Sequence, residues 1–334
     1  QLDPEKFHSA SPFNINTGLP VCRENGPTYS RIFGEAISDL ARNDDSIMAI
    51  TAAMTDGTGL NQFAVEHPDR FFDVGIAEQH AVNFAAGLAI AGLKPLVAIY
   101  STFLQRAYDQ IFHEVCLMDL PVVFALDRAG IVGEDGPTHQ GINDIAYLRH
   151  MPNMILMAPK DENELRQMVY SAFQYGHPVA IRFPKGKGFG VKIDREFSFL
   201  PVGQAELLKT GKDLIIAYGH LVYTALEVAN RLEEKGFSIG VINARFARPL
   251  DEDLIINQAR KAGVIFTLEE GILEGGFGSA VRELLDRHGL YQVRFKSFGL
   301  PAALYPLGKP DEIRNILRLN ADSLVEDIGN FYSS

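Results

Sequence analysis

The sequence predicts an α/β protein made of two doubly wound domains. Two observations lead to this prediction. Short apolar runs of strand length alternate with amphipathic stripes of helical period, and the alternation stops once, at residues 184–190 (PKGKGFG). Strands that alternate with helices are typical of parallel sheets with helices on both faces. A chain of 334 residues is long enough for two such domains.

The first predicted domain covers residues 26–190 and follows a linker at residues 1–25, which is rich in Pro, Ser and Asn. Its first helix shows the expected stripe, with apolar side chains at Ile32, Phe33, Ala36 and Leu40. In chain order, the patterns predict strands at 47–52, 71–75, 96–100, 121–126 and 179–183 and helices at 28–41, 76–91, 102–118 and 161–173.

The second predicted domain covers residues 199–334 and repeats the pattern. Each apolar run of strand length is followed by a stripe with helical spacing. The predicted strands are 214–218, 238–243, 264–268 and 293–298, and the predicted helices are 223–235, 251–262, 277–288, 311–319 and 322–332.

Composition indicates a globular protein of a reducing compartment. Hydrophobic residues make up 46% of the chain, which excludes disorder, and the net charge of −11 makes nucleic acid an unexpected partner. The two cysteines, Cys22 and Cys116, cannot build a disulfide framework, so we expect a cytoplasmic location. The most apolar stretch, residues 82–104, contains Lys94 and Pro95, so no membrane span is expected. The chain starts without methionine and is expected to be cut from a longer protein.

Ligands in open α/β sheets bind beyond the carboxyl ends of the strands, so three loops of the first domain are candidates. The first loop leads into Glu78, in the first turn of a predicted helix. Two interpretations are open: an acid that interacts with the helix dipole, or a buried carboxylate with a partner at the strand end.

In the second loop, Tyr100 and Phe103 bracket a turn where a planar ligand can stack, although aromatic residues there also serve as core. Arg106 and Asp109 have the spacing of a local helical contact.

The third loop, residues 127–141 (DRAGIVGEDGPTHQG), is the richest in polar residues. Its four glycines let the backbone approach a ligand closely, and it carries Arg128, Asp135 and His139. A loop of this length favours function over a purely structural role. The glycine clusters at 186–190 and 275–278 lack the dinucleotide fingerprint, and no Cys/His cluster has zinc spacing.

These loops carry a resemblance to a known family. Residues 73–82 (DVGIAEQHAV) look like the pyrimidine-domain signature of transketolase-type thiamine diphosphate enzymes. Together with residues 100–110 (YSTFLQRAYDQ) and 135–141 (DGPTHQG), they resemble the 1-deoxy-D-xylulose-5-phosphate synthase family. Residues 248–251 (RPLD) and 268–271 (LEEG) are similar to that family's C-terminal domain.

The resemblance implies a reaction and a cofactor. The family condenses pyruvate with D-glyceraldehyde 3-phosphate, releasing CO₂, to form 1-deoxy-D-xylulose 5-phosphate. That product enters the non-mevalonate isoprenoid route and feeds thiamine and pyridoxal synthesis. The resemblance implies thiamine diphosphate with Mg²⁺, and a homodimer. By this resemblance Glu78 is catalytic and hydrogen-bonds N1′ of the aminopyrimidine, Phe103 stacks on that ring and Arg106 lines its pocket.

The resemblance also assigns substrate contacts. Arg128 would bind the phosphate of the aldehyde as a fork. Tyr100, Asp135 and the catalytic His139 would contact substrate hydroxyls or relay protons. Lys185 stands where the family usually has arginine, in a Pro-Arg-Gly turn, and supplies a point charge in place of a fork.

A second departure concerns the metal. The family's N-terminal domain holds Mg²⁺ and the diphosphate with a Gly-Asp-Gly sequence, which this chain lacks; the nearest strings are residues 55–57 (TDG) and 134–136 (EDG). We therefore expect no metal ligands here, and an N-terminal diphosphate-binding domain or fragment as partner. Two alternatives stay open: a beta subunit of a 2-oxoacid dehydrogenase, which has this length and these domains, and a scaffold whose loops only pack between subunits.

Overall fold

Two sheets organise the fold in the computed structural model, which describes residues 14–18, 27–133, 135–303 and 305–333. Within these residues, the first sheet has the spatial strand order β10-β5-β6-β4-β3-β1-β2 and the second has the order β12-β11-β8-β9-β7. The strands are β1 (Ile47–Thr51), β2 (Phe71–Asp73), β3 (Lys94–Tyr100), β4 (Val123–Asp127), β5 (Ile155–Met157), β6 (Val179–Arg182), β7 (Glu206–Lys209), β8 (Asp213–Ala217), β9 (Ile239–Asn243), β10 (Phe246–Arg248), β11 (Val264–Ile272) and β12 (Arg294–Leu300).

Helices cover both faces of the first sheet, as a doubly wound fold requires. Leu96 and Ala98 of β3 point into the core with one set of helices, and Val97 and Ile99 point into the core on the other face. The helices are α1 (Tyr29–Ala41), α2 (Asn61–Glu66), α3 (Glu78–Ile90), α4 (Ser101–Leu104), α5 (Tyr108–Gln110), α6 (Asp144–Leu148), α7 (Glu162–Ala172), α8 (Leu221–Glu233), α9 (Glu252–Ala259), α10 (Phe277–Arg287), α11 (Pro310–Ile316) and α12 (Ala321–Ser333). The α/β fold class predicted from the sequence is confirmed.

The structure departs from the predicted elements in its edge strands. β7 pairs antiparallel with β9, and β10 pairs antiparallel with β5. The sequence patterns predict none of β5, β7 and β10, which have three or four residues each and show no period of their own. The equally short β2 and β6 are predicted only as parts of longer runs, at 71–75 and 179–183. β10, which belongs to the predicted second domain, thus forms an edge strand of the first sheet. The two predicted domains are therefore joined through that sheet.

The predicted helix at 102–118 is wrong as a single element. The segment is divided into α4, a 3₁₀ turn, α5 and a π-helical turn at Ile111–Cys116. The short helices α2 and α6 are also absent from the sequence prediction. Most of the predicted linker at 1–25, including Cys22, lies outside the described residues. Over the described part of the chain, no helix combines the length and the apolar character needed to cross a bilayer.

Candidate active site

Three adjacent strands carry most of the predicted site residues. β3, β4 and β6 are neighbours and run parallel, so the loops at their carboxyl ends meet on one edge of the sheet. Tyr100 pairs in register with Asp127, and Leu126 with Arg182, which places the ends of these strands at the same level. The following loops carry Phe103, Arg106, Arg128, Asp135, His139 and Lys185.

The aromatic residues of two loops form a half-buried cluster. The rings of Tyr100 and Phe103 are stacked at 5.8 Å between centroids, and the imidazole of His139 meets the edge of Phe103 at 5.2 Å. The hydroxyl of Thr102 donates to the carbonyl of Thr138 at 3.0 Å, which ties the helix after β3 to the third loop, residues 127–141, called the glycine-rich loop below. The arrangement presents flat apolar surface beside polar groups, as expected for a site that stacks a planar ligand.

Arg128 is the cation at the centre of the site. Its backbone has φ +59°, a strained conformation for a residue with a side chain, and such strain concentrates at functional positions. The guanidinium lies 3.7 Å from the centroid of the Tyr100 ring, and Nη1 donates to the carbonyl of Gly57 at 2.6 Å. Burial raises the pKa of Tyr100, against the opposing effect of Arg128, so the phenol remains a proton donor.

A buried carboxylate lies beneath Arg128. Asp127, the last residue of β4, is fully buried, approaches Arg128 Nη1 at 3.3 Å and accepts a hydrogen bond from the Ser30 hydroxyl at 2.6 Å. Burial raises the pKa of Asp127 to about 6, although Arg128 and Ser30 favour its charged form. Part of the charge of Arg128 is therefore balanced from inside the protein.

Asp135 connects the two predicted phosphate-binding cations. Its Oδ2 lies 2.6 Å from Lys185 Nζ and 4.0 Å from Arg128 Nε. Lys185 and Arg128 thus converge on one anion, as their places on neighbouring strands suggest, and here that anion is a carboxylate of the chain. A phosphate that bound both cations would compete with Asp135 for them.

Glu78 and Arg106 form a second ion pair, separate from the one between Asp135 and Lys185. Glu78 begins α3 and is only 2% exposed, and its Oε2 lies 2.6 Å from Arg106 Nη1. Glu78 is thus a buried carboxylate with a cationic partner, as in the second of the two interpretations, but Arg106 lies in the 3₁₀ turn after α4 and not at a strand end. Arg106 does not pair with Asp109 among the described residues; Asp109 instead contacts His113 at 2.8 Å.

Sequence reasoning missed Gly57, in the loop after β1. A Cβ at this position would overlap the hydroxyl of Tyr100, so the ring packs directly on the backbone. The carbonyl of Gly57 also accepts from Arg128, as described above. In the sequence, residues 55–57 (TDG) stand out only as a near match to Gly-Asp-Gly, and no other signal marks Gly57.

A buried polar network below the loops was also missed. Asp144 Oδ2 accepts from the hydroxyl of Ser101 and from Nε of Arg182, each at 3.0 Å. Asp144 and Arg182 are both buried, so they hold the start of α4, the end of β6 and the end of the glycine-rich loop together. An arginine inside the apolar run of β6 was the available signal. In the described residues, no group of three or more His, Cys, Asp or Glu side chains is arranged to hold a metal ion.

Comparison with known proteins assigns both halves of the chain to one family. Residues 25–189 match the family model for the transketolase pyrimidine binding domain, and residues 203–324 match the model for the transketolase C-terminal domain. The chain is 54% identical over 323 residues to 1-deoxy-D-xylulose-5-phosphate synthase 1 of Geobacter sulfurreducens, covering 96% of this chain and 51% of that protein. It is 51% identical over 327 residues to the corresponding synthase of Halothermothrix orenii, covering 98% and 51%. The chain thus spans about half the length of the curated relatives it matches.

Solved structures show the same fold. A split-gene transketolase, described as an "inactive beta4 tetramer", superposes with a TM-score of 0.81 at 31% identity. The match covers 91% of this chain and 98% of that chain. The transketolase of Campylobacter jejuni superposes with a TM-score of 0.76 at 23% identity, covering 93% of this chain and 48% of that chain, a likeness of fold alone. The chain therefore belongs to the transketolase family, and its sequence groups with the 1-deoxy-D-xylulose-5-phosphate synthases.

Proposed function

We propose that this chain contributes the pyrimidine-binding half of a thiamine diphosphate site. The assembled enzyme condenses pyruvate with D-glyceraldehyde 3-phosphate, releases CO₂ and forms 1-deoxy-D-xylulose 5-phosphate. The observation that carries the proposal is the buried carboxylate of Glu78. This residue begins α3, beside the segment after β3 that carries the aromatic rings of Tyr100 and Phe103. The family relationship supports the same reading.

The residues present fit an aminopyrimidine ring. Such a ring is flat and carries a ring nitrogen that a carboxylate can hold in its protonated form. Phe103 offers a half-buried aromatic face, and Glu78 offers a buried carboxylate oriented by Arg106. Glu78 would accept a hydrogen bond from N1′ and hold the proton at that atom. When bound, thiamine diphosphate supplies an electron sink for the carbon that loses CO₂.

The substrate side of the site holds two cations, Arg128 and Lys185, each beside a carboxylate of the chain. Arg128 and Lys185 would bind the phosphate of the aldehyde, Arg128 through a planar fork and Lys185 through a point charge. Asp135 holds Lys185 before substrate arrives and would release it to the phosphate. Tyr100 and His139 would donate to or accept from substrate hydroxyls, because both face the aromatic cluster.

The diphosphate and Mg²⁺ would be held by a partner domain or fragment, since the sequence contains no Gly-Asp-Gly string. The proposed assembly is a homodimer that places such a domain against this one. A split-gene transketolase chain that superposes over nearly its whole length is described as inactive, which supports the expectation that this half does not turn over by itself. The product would serve the non-mevalonate isoprenoid route and the synthesis of thiamine and pyridoxal.

The test is an assay of the complete protein that contains this chain, with residues 1–334 alone as the matched control. We expect 1-deoxy-D-xylulose 5-phosphate from the complete protein with thiamine diphosphate and Mg²⁺, and none from residues 1–334. Acyl transfer to a lipoyl acceptor without the sugar phosphate would support the 2-oxoacid dehydrogenase beta subunit instead. Failure of the complete protein to bind thiamine diphosphate would favour the scaffold.

A further inference from the structure

The base of the glycine-rich loop is attached to the second domain on both sides. Gly130 and Gly141 close the loop by exchanging two backbone hydrogen bonds, at 2.6 and 2.9 Å. Next to this closure, the Ile131 amide donates to Glu270 Oε2 at 3.0 Å, and the Ile142 carbonyl accepts from the Ile272 amide at 3.0 Å. The side chains of Ile131 and Ile142 belong to the hydrophobic core of the second domain.

Glu270 is built to act as a charged acceptor. It lies at the end of β11 and is 1% exposed. Its Oε1 lies 2.6 Å from Nε of Arg314 and 3.5 Å from the imidazole of His220. Burial alone would raise the pKa of Glu270, but Arg314 and His220 hold it well below its ordinary range, so the group is ionised. A charged acceptor strengthens the bond from Ile131, whose amide is also buried.

The loop is shaped to admit this carboxylate. Gly130 has φ +81°, and a Cβ there would overlap Oε2 of Glu270. Only glycine at position 130 lets the carboxylate reach the backbone of the next residue. The tip of the loop also rests on the second domain, because a Cβ at Gly133 would lie 2.7 Å from the carbonyl of Gly308.

We infer that Glu270 is a positioning residue, through which the second domain fixes the glycine-rich loop and hence the placement of Arg128, Asp135 and His139. The inference rests on the proposed function only for its kinetic consequence. Arg128 precedes the attachment at Ile131 by three residues, and Asp135 and His139 lie between the two attachments, so a shift of the loop base moves all three. Glu270 itself touches no predicted substrate group among the described residues.

The test compares Glu270→Gln with Glu269→Gln in the complete protein. Glu269 is the matched control, because it is the adjacent buried glutamate and its bonds, from the amides of Phe277 and Gly278, stay within the second domain. Hydrogen exchange measured by mass spectrometry on peptides that span residues 129–142 reports the loop directly. A hydrogen bond to a charged group contributes roughly 1.5–3 kcal/mol, so we expect loop exchange to accelerate about tenfold or more in Glu270→Gln. Glu269→Gln should leave it unchanged.

Kinetics supply the second readout. In Glu270→Gln the KM for D-glyceraldehyde 3-phosphate should rise several-fold while the KM for pyruvate stays within about twofold, because the loop carries the phosphate contact. Unchanged loop exchange in Glu270→Gln, or equal acceleration in Glu269→Gln, would overturn the inference. If the wild-type protein lacks the proposed activity, the exchange comparison still decides the positioning role. Should Glu270→Gln fail to fold, Arg314→Met removes the cation that favours the ionised form of Glu270. This variant should then show the same acceleration of hydrogen exchange in residues 129–142.

Discussion

Replacing Arg128 with alanine tests the substrate side of the proposed site most directly. The substitution removes the guanidinium over Tyr100, its bond to the Gly57 carbonyl and the cation beside Asp127. Among the described residues, the hydrogen bonds of Arg128 leave from Nη1, so a phosphate would bind Nη2 and Nε, the latter in competition with Asp135 Oδ2 at 4.0 Å. The alanine variant therefore loses both an internal support and an anion contact.

The size of the effect follows from these contacts. One charge-assisted hydrogen bond contributes about 1.5–3 kcal/mol, which corresponds to roughly 10–150-fold in apparent affinity. Lys185→Ala should act in the same direction but less, because Lys185 is already paired with Asp135 at 2.6 Å and offers a single point charge. Lys185→Arg should be tolerated.

The assay measures KM for D-glyceraldehyde 3-phosphate, for pyruvate and for unphosphorylated glyceraldehyde in the complete protein. We expect Arg128→Ala to raise the KM for D-glyceraldehyde 3-phosphate roughly 10–150-fold, which corresponds to one charge-assisted contact. The other two KM values should rise far less, because those substrates lose only the internal support that Arg128 gives the site. Arg128→Lys serves as the control that keeps the positive charge without the fork.

The comparison between the two aldehydes decides the matter. Equal damage toward glyceraldehyde with and without its phosphate would show that Arg128 shapes the loop and does not anchor the phosphate. The internal bonds to Gly57 and Asp127 would then be its whole role.

Three further predictions concern other parts of the molecule. Glu78→Gln should lower turnover roughly 10²–10⁴-fold in the complete protein, with an unchanged circular dichroism spectrum; near-normal turnover would make Glu78 only a helix-start acid. Gly57→Ala should lower kcat/KM by displacing the Tyr100 ring, and the loss should shrink in a Tyr100→Phe background, where the overlapping hydroxyl is absent; equal losses in both backgrounds would refute that account. Burial raises the pKa of Glu269 from 4.5 to about 7, so the folded state holds this proton more tightly than the unfolded state does. The resulting gain in the free energy of unfolding is complete below about pH 4.5 and is lost as pH rises through 7. In urea unfolding from pH 5 to 8, the free energy of unfolding should therefore decline by up to about 1.4 kcal/mol per pH unit relative to Glu269→Gln. Parallel stability profiles for the two proteins would contradict it.

Local pattern was enough to predict the fold class and to suggest where a site is expected. The alternation of strands and helices implies parallel sheets, and parallel sheets collect their loops at one edge. This rule points to the loops after β2, β3 and β4, and so to Glu78, Tyr100 and Arg128, without any knowledge of tertiary contacts. Each of these positions is defined by the end of a strand that is long enough, or apolar enough, to recognise along the chain.

Only the tertiary structure decided which of these groups meet. Glu78 pairs with Arg106 and not with a neighbour on its own helix, and Asp135 lies between Arg128 and Lys185. These contacts join residues on different loops, so they depend on which strands are adjacent, and strand order is not written in the period of any single element.

The same reason explains what sequence reasoning missed. β10 crosses to the first sheet, the glycine-rich loop sends Ile131 into the core of the second domain, and Glu270 meets that loop from 139 residues away in the chain. Hydrophobic period reports whether a side chain is buried, and it carries no information about the partner that buries it. The sequence by itself therefore determined the fold class, most of the longer elements and the edge at which chemistry is expected, while packing between distant segments decided how the charges there are paired and held.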